Sequence, residues 1–279
     1  MKLHVLVDNN TLIDRYYIGE PGVSYYIEVE GIRVLFDLGY SNAFLKNGHK
    51  MGVDFTNLDY IVLSHSHLDH TWGMPHLLMV YNETLMEGKQ YKRPTLVAHP
   101  DVFVPRSFND NDEFGMITQQ SLVSKYMATR LTKSVYWLSK KLVFLGEIPR
   151  VNDFEAKVPI GQIKINDKYS EDFSLDDSAL CYCSEDGLVI ITGCSHSGIC
   201  NIIDYAKKVC GVDKIADVIG GFHLQNPERK QLEMTVDYFS RLDANAIHAC
   251  HCTDLASKIQ LSNVIKVLEV GVGMTLNYK

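Results

Sequence analysis

Residues 61–70 read Ile-Val-Leu-Ser-His-Ser-His-Leu-Asp-His. An apolar strand-like run delivers His65, His67, Asp69 and His70 within six positions. Left unpaired beside a buried strand, four such groups would carry a large desolvation cost. A polar turn is therefore a poor reading. Imidazole and carboxylate together suit Zn²⁺, and also Fe or Mn²⁺. One small cation cannot readily take four ligands from so short a segment. The economical expectation is two adjacent divalent cations, Zn²⁺ first among them.

The rest of the chain must then fold so as to bring in further ligands. Its 279 residues, 46% of them hydrophobic, are enough for one large packed domain. A net charge of −7 argues against nucleic acid or an anionic membrane as the main partner. No apolar run approaches the roughly 20 residues that cross a bilayer. The first residues, Met1-Lys2-Leu3-His4-Val5, enter a strand pattern at once and lack the build of a secretory signal. Seven cysteines, an odd number, fit reduced thiols better than a disulfide framework. A soluble cytoplasmic protein acting on a small molecule is the expectation, with its oligomeric state unspecified.

Strand patterns fall at Leu3–Val7, at Val23–Glu30 and Ile32–Asp37 around Gly31, at Leu58–Ser64 and at Thr95–His99. A helix is expected from His70 to about Met79. The Asn/Asp-rich stretch Phe108-Asn-Asp-Asn-Asp-Glu-Phe114 reads as a surface loop. The second half repeats the plan. A hairpin, Ala179–Cys183 with Leu188–Thr192, runs into Gly193-Cys194-Ser195-His196. A helix follows over about 199–210, and Val218–Ile219 then runs into Gly220-Gly221-Phe222-His223. A second helix covers about 227–242, and Ala246–Ala249 runs into Cys250-His251-Cys252. Histidines thus recur just past strand ends. That placement suits a site on loops at one edge of a sheet.

These residues resemble the metallo-β-lactamase superfamily. Ser64-His65-Ser66-His67-Leu68-Asp69-His70 matches its His-x-His-x-Asp-His signature. Val97-Ala98-His99-Pro100, Gly193–Gly198, Gly220–Leu224 and His251-Cys252-Thr253 resemble landmarks of the 7,8-dihydropterin-6-methyl-4-(β-D-ribofuranosyl)aminobenzene-5′-phosphate synthase-like subfamily. The likeness runs from Leu3 to about Leu276. It implies an α/β fold, an αββα sandwich of two packed mixed β-sheets with helices outside and the metals at the sheet edge. It implies one domain, 1–279, with a variable substrate-side insertion around 80–170. It also implies roles: His65, His67 and His196 on the first metal, Asp69, His70 and His251 on the second, and Asp37 supporting from behind. Cys194 stands where the superfamily usually has a bridging Asp, and it reads either as a thiolate ligand or as a bystander beside His196.

Other candidates keep two readings. His223 follows two glycines, which permit close backbone approach to a ligand. Substrate contact with acid–base catalysis, metal ligation and a structural role all fit it. His99 reads as a substrate or supporting group, or as a strand-end structural histidine. Asp177, with Asp176, either orients a ligand histidine or forms an ordinary turn. Lys92, Arg93, Arg106, Arg130 and Lys133 fit a phosphate or a solvated face.

The leading functional expectation is a metal-dependent hydrolase. Metal-activated hydroxide would attack an ester, phosphoester or related small molecule, with Asp69 orienting the nucleophile. The alternatives are a ribosyl-phosphate transferase or condensing enzyme of pterin-type metabolism, and a non-catalytic metal-dependent sensor. The absence of a Gly-rich phosphate loop with an adjacent Lys weighs against the transferase.

Overall fold

The structure is a computed structural model that describes residues 1–108 and 112–279. Two sheets carry the fold. The first has seven strands, in the order Thr275–Asn277, Lys2–Val7, Ser24–Val29, Ile32–Phe36, Tyr60–Val62, Thr95–Ala98 and Ala128–Leu131. The second has six, in the order His248–Cys250, Ile215–Gly221, Gly187–Thr192, Ala179–Ser184, Leu142–Phe144 and Tyr136–Trp137. Both are mixed: each contains antiparallel hairpins continued by parallel strands.

The period-two alternation of strand side chains explains the layering. Val34 and Phe36 face one way and Leu35 the other, all three fully buried. Val34 and Phe36 join a core that also contains Val62, Leu180, Tyr182, Val189 and Ile191, so it lies between the two sheets. Leu35 joins a second core with Phe44, Leu77, Leu78 and Val123, under the helices Ala43–Lys50, Met74–Met86 and Gln120–Tyr126. Leu188 and Ile190 point into a third with Ile199, Ile203 and Phe239, under Ile199–Cys210 and Arg229–Ser240. Three cores separate four layers, which is the expected αββα sandwich. Each buried Leu, Ile, Val or Phe in them contributes about 1.5–3 kcal/mol.

The early hairpin, the late hairpin and the helix Ile199–Cys210 fall where the sequence pattern places them. Two elements differ. The strand expected over 58–64 is shorter, Tyr60–Val62, with Leu63 N still bonded to Val97 O at 3.1 Å and Ser64 turned to Asp37. The helix expected from His70 instead begins at Leu68, stops at Thr71, and restarts at Met74 with Pro75 in its first turn. Residues 80–170 supply strands to both large sheets and to a three-stranded sheet of Lys168–Glu171, Gln162–Ile165 and Arg106–Ser107. Part of the 108–114 loop, residues 109–111, lies outside the described residues. Among the described residues, no helix is long and apolar enough to cross a membrane.

Candidate metal centre

The strands Ile32–Phe36, Tyr60–Val62, Gly187–Thr192, Ile215–Gly221 and His248–Cys250 end at one edge of the sandwich. Asp37, the loop 63–67, Gly193–Ser197, His223 and His251 all follow directly from those ends. Four of these residues have positive φ: Asp37 (54°), Ser195 (62°), His223 (51°) and His251 (50°). Such conformations are unfavourable for non-glycine residues and gather where a fold holds side chains in a set geometry.

The first group of donors is made of imidazoles. His65 Nε2 lies 3.1 Å from His67 Nδ1 and 3.2 Å from His196 Nε2. All three rings are buried. Nitrogens that share one tetrahedral Zn²⁺ at about 2.0–2.1 Å stand roughly 3.3–3.4 Å apart, close to these separations. Burial pushes His65 and His196 well below the ordinary histidine range, and the neighbouring imidazoles push them further. His67 falls to about 3, chiefly through burial. Neutral rings with converging lone pairs are the form that binds a cation.

The second group is Asp69, His70, Cys194 and His251, whose donor atoms lie within 4.8 Å of one another. His70 Nδ1 donates to Asp37 Oδ2 at 2.8 Å, which leaves its Nε2 facing Cys194 Sγ at 3.2 Å. His251 Nε2 stands 3.1 Å from that sulfur and 3.3 Å from Asp69 Oδ2. Burial opposes charge on His70, but the Asp69 and Asp37 carboxylates outweigh it and raise the ring to about 9. Burial likewise opposes the Asp69 charge, yet His70 and His251 hold this carboxyl below its usual range. The six residues expected as ligands thus converge, Cys194 joins them, and Asp37 supports His70 from behind.

Behind the donors lies a set of buried carboxylates. Asp37 Oδ1 accepts from Ser64 N at 2.7 Å and Oδ2 from Ser64 Oγ at 2.6 Å, fixing the loop that carries His65. Gly193 is required beside them: a Cβ there would stand 2.2 Å from Ser64 Oγ and 3.0 Å from Asp37 Oδ2. Asp177 touches no histidine by hydrogen bond. Its Oδ2 accepts from Ser197 N (2.9 Å) and Oγ (2.5 Å), anchoring the residue after His196. Burial raises this carboxyl to about 6. Asp176 Oδ2 accepts from Ser66 N at 2.9 Å, between His65 and His67. Two adjacent aspartates therefore tie down two of the loops that carry these donors.

Arg106 is not a surface cation. It is 2% exposed and bridges Asp172 (2.6 Å) and Asp176 (2.9 Å). Lys92 pairs with Asp59, Arg93 donates to Ser124 O, and Lys133 pairs with Glu147. Arg130 lies over the Tyr136 ring. The structure likewise leaves His99 outside the cluster: its Nδ1 accepts from Asp101 N and its Nε2 faces Glu147 Oε2 at 3.0 Å.

Two supporting residues escape the sequence reading. Asn9 Oδ1 lies 3.0 Å from His251 Nδ1, and Asp8 Oδ1 accepts from His251 N at 3.0 Å. Polar residues straight after the apolar strand Lys2–Val7 were the available signal. The pair Gly220-Gly221 serves packing between strand ends rather than approach to a ligand. Cβ atoms there would stand 2.2 Å from Thr192 O and 2.5 Å from Cys252 Sγ.

His196 and His223, with ring centroids 4.4 Å apart, form the inner wall of a cleft of about 340 Å³. Phe154, Phe173 and Val158 add apolar surface to it; Lys157 stands along it, with Glu155, Glu228 and a Lys230–Asp153 pair at 3.1 Å.

The sequence matches the family model for the metallo-beta-lactamase superfamily over residues 17–207. An uncharacterized protein of Methanocaldococcus jannaschii is 29% identical over 267 residues, 94% of each chain. The 7,8-dihydropterin-6-methyl-4-(beta-D-ribofuranosyl)-aminobenzene-5′-phosphate synthase of the same organism is 30% identical over 268 residues, 91% of this chain and 87% of that one. Among solved structures, Tm1679, described as a metal-dependent hydrolase of the beta-lactamase superfamily, superposes with a TM-score of 0.83 at 26% identity. That match covers 99% of this chain and 98% of the other. YhfI from Bacillus subtilis shares the fold, with a TM-score of 0.61 at 12% identity over 99% of both chains. By fold, signature and near-full-length relatives, the chain belongs to the metallo-beta-lactamase superfamily.

Proposed function

We propose that the protein is a dinuclear metal-dependent hydrolase acting on an ester, phosphoester or related bond in a small molecule. The observation that carries this reading is the convergence of two donor groups, His65–His67–His196 and Asp69–His70–Cys194–His251, at one mouth. When bound, a pair of divalent cations supplies Lewis acidity and makes water acidic near neutral pH. Zn²⁺ suits the nitrogen, oxygen and sulfur donor set.

The chain's own groups do the rest. Asp37 and Asn9 hold His70 and His251 with Nε2 presented inward. Asp69, the partly exposed carboxylate of the set, can accept a hydrogen bond from an attacking water and orient it. His223 lies on the cleft side of His196, where its ring can contact a leaving group. Phe154 and Phe173 offer surface for an apolar or planar portion of a substrate, and Lys157 offers charge for an anionic one.

The test is an assay of metal-loaded protein on phosphodiester, thioester and lactone substrates. His67→Ala and Asp69→Ala variants stripped of metal should lose turnover, and full activity in them would refute the reading. A second reading, a ribosyl-phosphate transferase or condensing enzyme, rests on the relative named as a synthase. Only that reading predicts a new C–C or C–N bond when a ribosyl-phosphate donor and an aromatic acceptor are supplied together.

A further inference from the structure

One atom is common to both donor groups. Cys194 Sγ lies within 4.8 Å of the donor atoms of His65 and His196, and also of those of Asp69, His70 and His251. It is 3.2 Å from His70 Nε2 and 3.1 Å from His251 Nε2. A buried free cysteine usually packs as a small hydrophobe. This one is 4% exposed, and imidazole nitrogens and a carboxylate surround its sulfur.

We propose that Cys194 bridges the two cations as a thiolate, its single sulfur bonded to both. The proposal rests on the dinuclear reading above and adds to it. At about 2.3 Å per Zn–S bond, one sulfur can span ions up to roughly 4.6 Å apart, which covers the about 3.5–4 Å of two-metal sites. The Cys194 thiol proton leaves to solvent as the cations bind, since a coordinating thiol is deprotonated outright. The position is held on both sides: Gly193 packs against Ser64 and Asp37, and Ser195 Oγ donates to Gly221 O at 2.6 Å. The consequence is a soft bridge, which favours Zn²⁺ or Co²⁺ over harder Mn²⁺ or Mg²⁺.

Cobalt titration of metal-free protein tests this, because thiolate-to-cobalt charge transfer absorbs in the near ultraviolet. The expected result is two cobalt equivalents per chain, with the sulfur band growing through both. Cys194→Ser should lose the band and Cys194→Asp should keep two equivalents without it, whereas Cys252→Ser should keep both band and stoichiometry. Two equivalents without a sulfur band in the wild type overturn the bridge and leave the hydrolase reading standing. A band that stops growing after one equivalent, or that persists in Cys194→Ser, overturns it as well. Failure to bind two equivalents in the wild type counts against the dinuclear reading itself. Circular dichroism of each variant separates loss of the ligand from loss of the fold.

Discussion

His70 Nδ1 and Asp37 Oδ2 are 2.8 Å apart, and both side chains are sealed from solvent. The same carboxylate holds Ser64 through two further hydrogen bonds. One group behind the site thus sets the tautomer of His70 on one side and the loop of His65 on the other. Partners of this kind typically contribute 10–100-fold to metal affinity. Asp37→Asn should therefore weaken divalent metal binding by about 10–100-fold. Competition with a chromogenic chelator measures it, and unchanged affinity would show that Asp37 serves only the fold.

Gly193→Ala tests the packing beneath the donors. The added Cβ would stand 2.2 Å from Ser64 Oγ and 2.8 Å from Ser64 Cβ, and both belong to a fully buried residue. Overpacking of this kind costs about 1–3 kcal/mol. Thermal denaturation should show that loss together with reduced metal content. Wild-type stability in the variant would contradict the close approach.

Arg106 is the cation for two buried carboxylates, Asp172 and Asp176. Replacing it by Met would leave both uncompensated, at a cost of about 3–5 kcal/mol. Denaturant unfolding should show a lower midpoint at unchanged slope. Because Asp176 also anchors Ser66, metal content should fall in parallel.

How far the site was legible follows from these residues. His65, His67, Asp69 and His70 announce themselves by density, and His196 and His251 by position after apolar strands. The supports do not, because they act across the fold. Asp176 meets Ser66 from 110 positions away and Arg106 from 70, and Asn9 meets His251 from 242. Arg106 reads as a surface cation until packing buries it. The strands Ala128–Leu131, Tyr136–Trp137 and Leu142–Phe144 escape notice because they are two to four residues long, too short for a periodic pattern. The layered core was legible for the opposite reason: Val34-Leu35-Phe36 and Leu188-Val189-Ile190-Ile191 are unbroken apolar runs, the mark of strands covered on both faces.

The titrations set the pH dependence of the metal-free protein. His65, His67 and His196 have folded values below the unfolded value of about 6.5, so below pH 6.5 the unfolded chain binds more protons and stability falls with acid. His70 is raised to about 9, so its contribution is complete below pH 6.5 and is lost as pH rises through 9. These four groups together predict a stability maximum near neutral pH, about 7, with decline on both sides. Thermal denaturation in the presence of chelator across that range checks it, and a flat profile contradicts it. Bound metal should flatten the acid limb until the ligands protonate.

The most direct test of a two-cation hydrolytic centre is elemental analysis of the purified protein, paired with turnover of a phosphodiester or thioester. The account predicts two divalent ions per chain, with loss of both metal and turnover in a His67→Ala, Asp69→Ala variant. Wild-type protein free of metal that still turns over its substrate would contradict it.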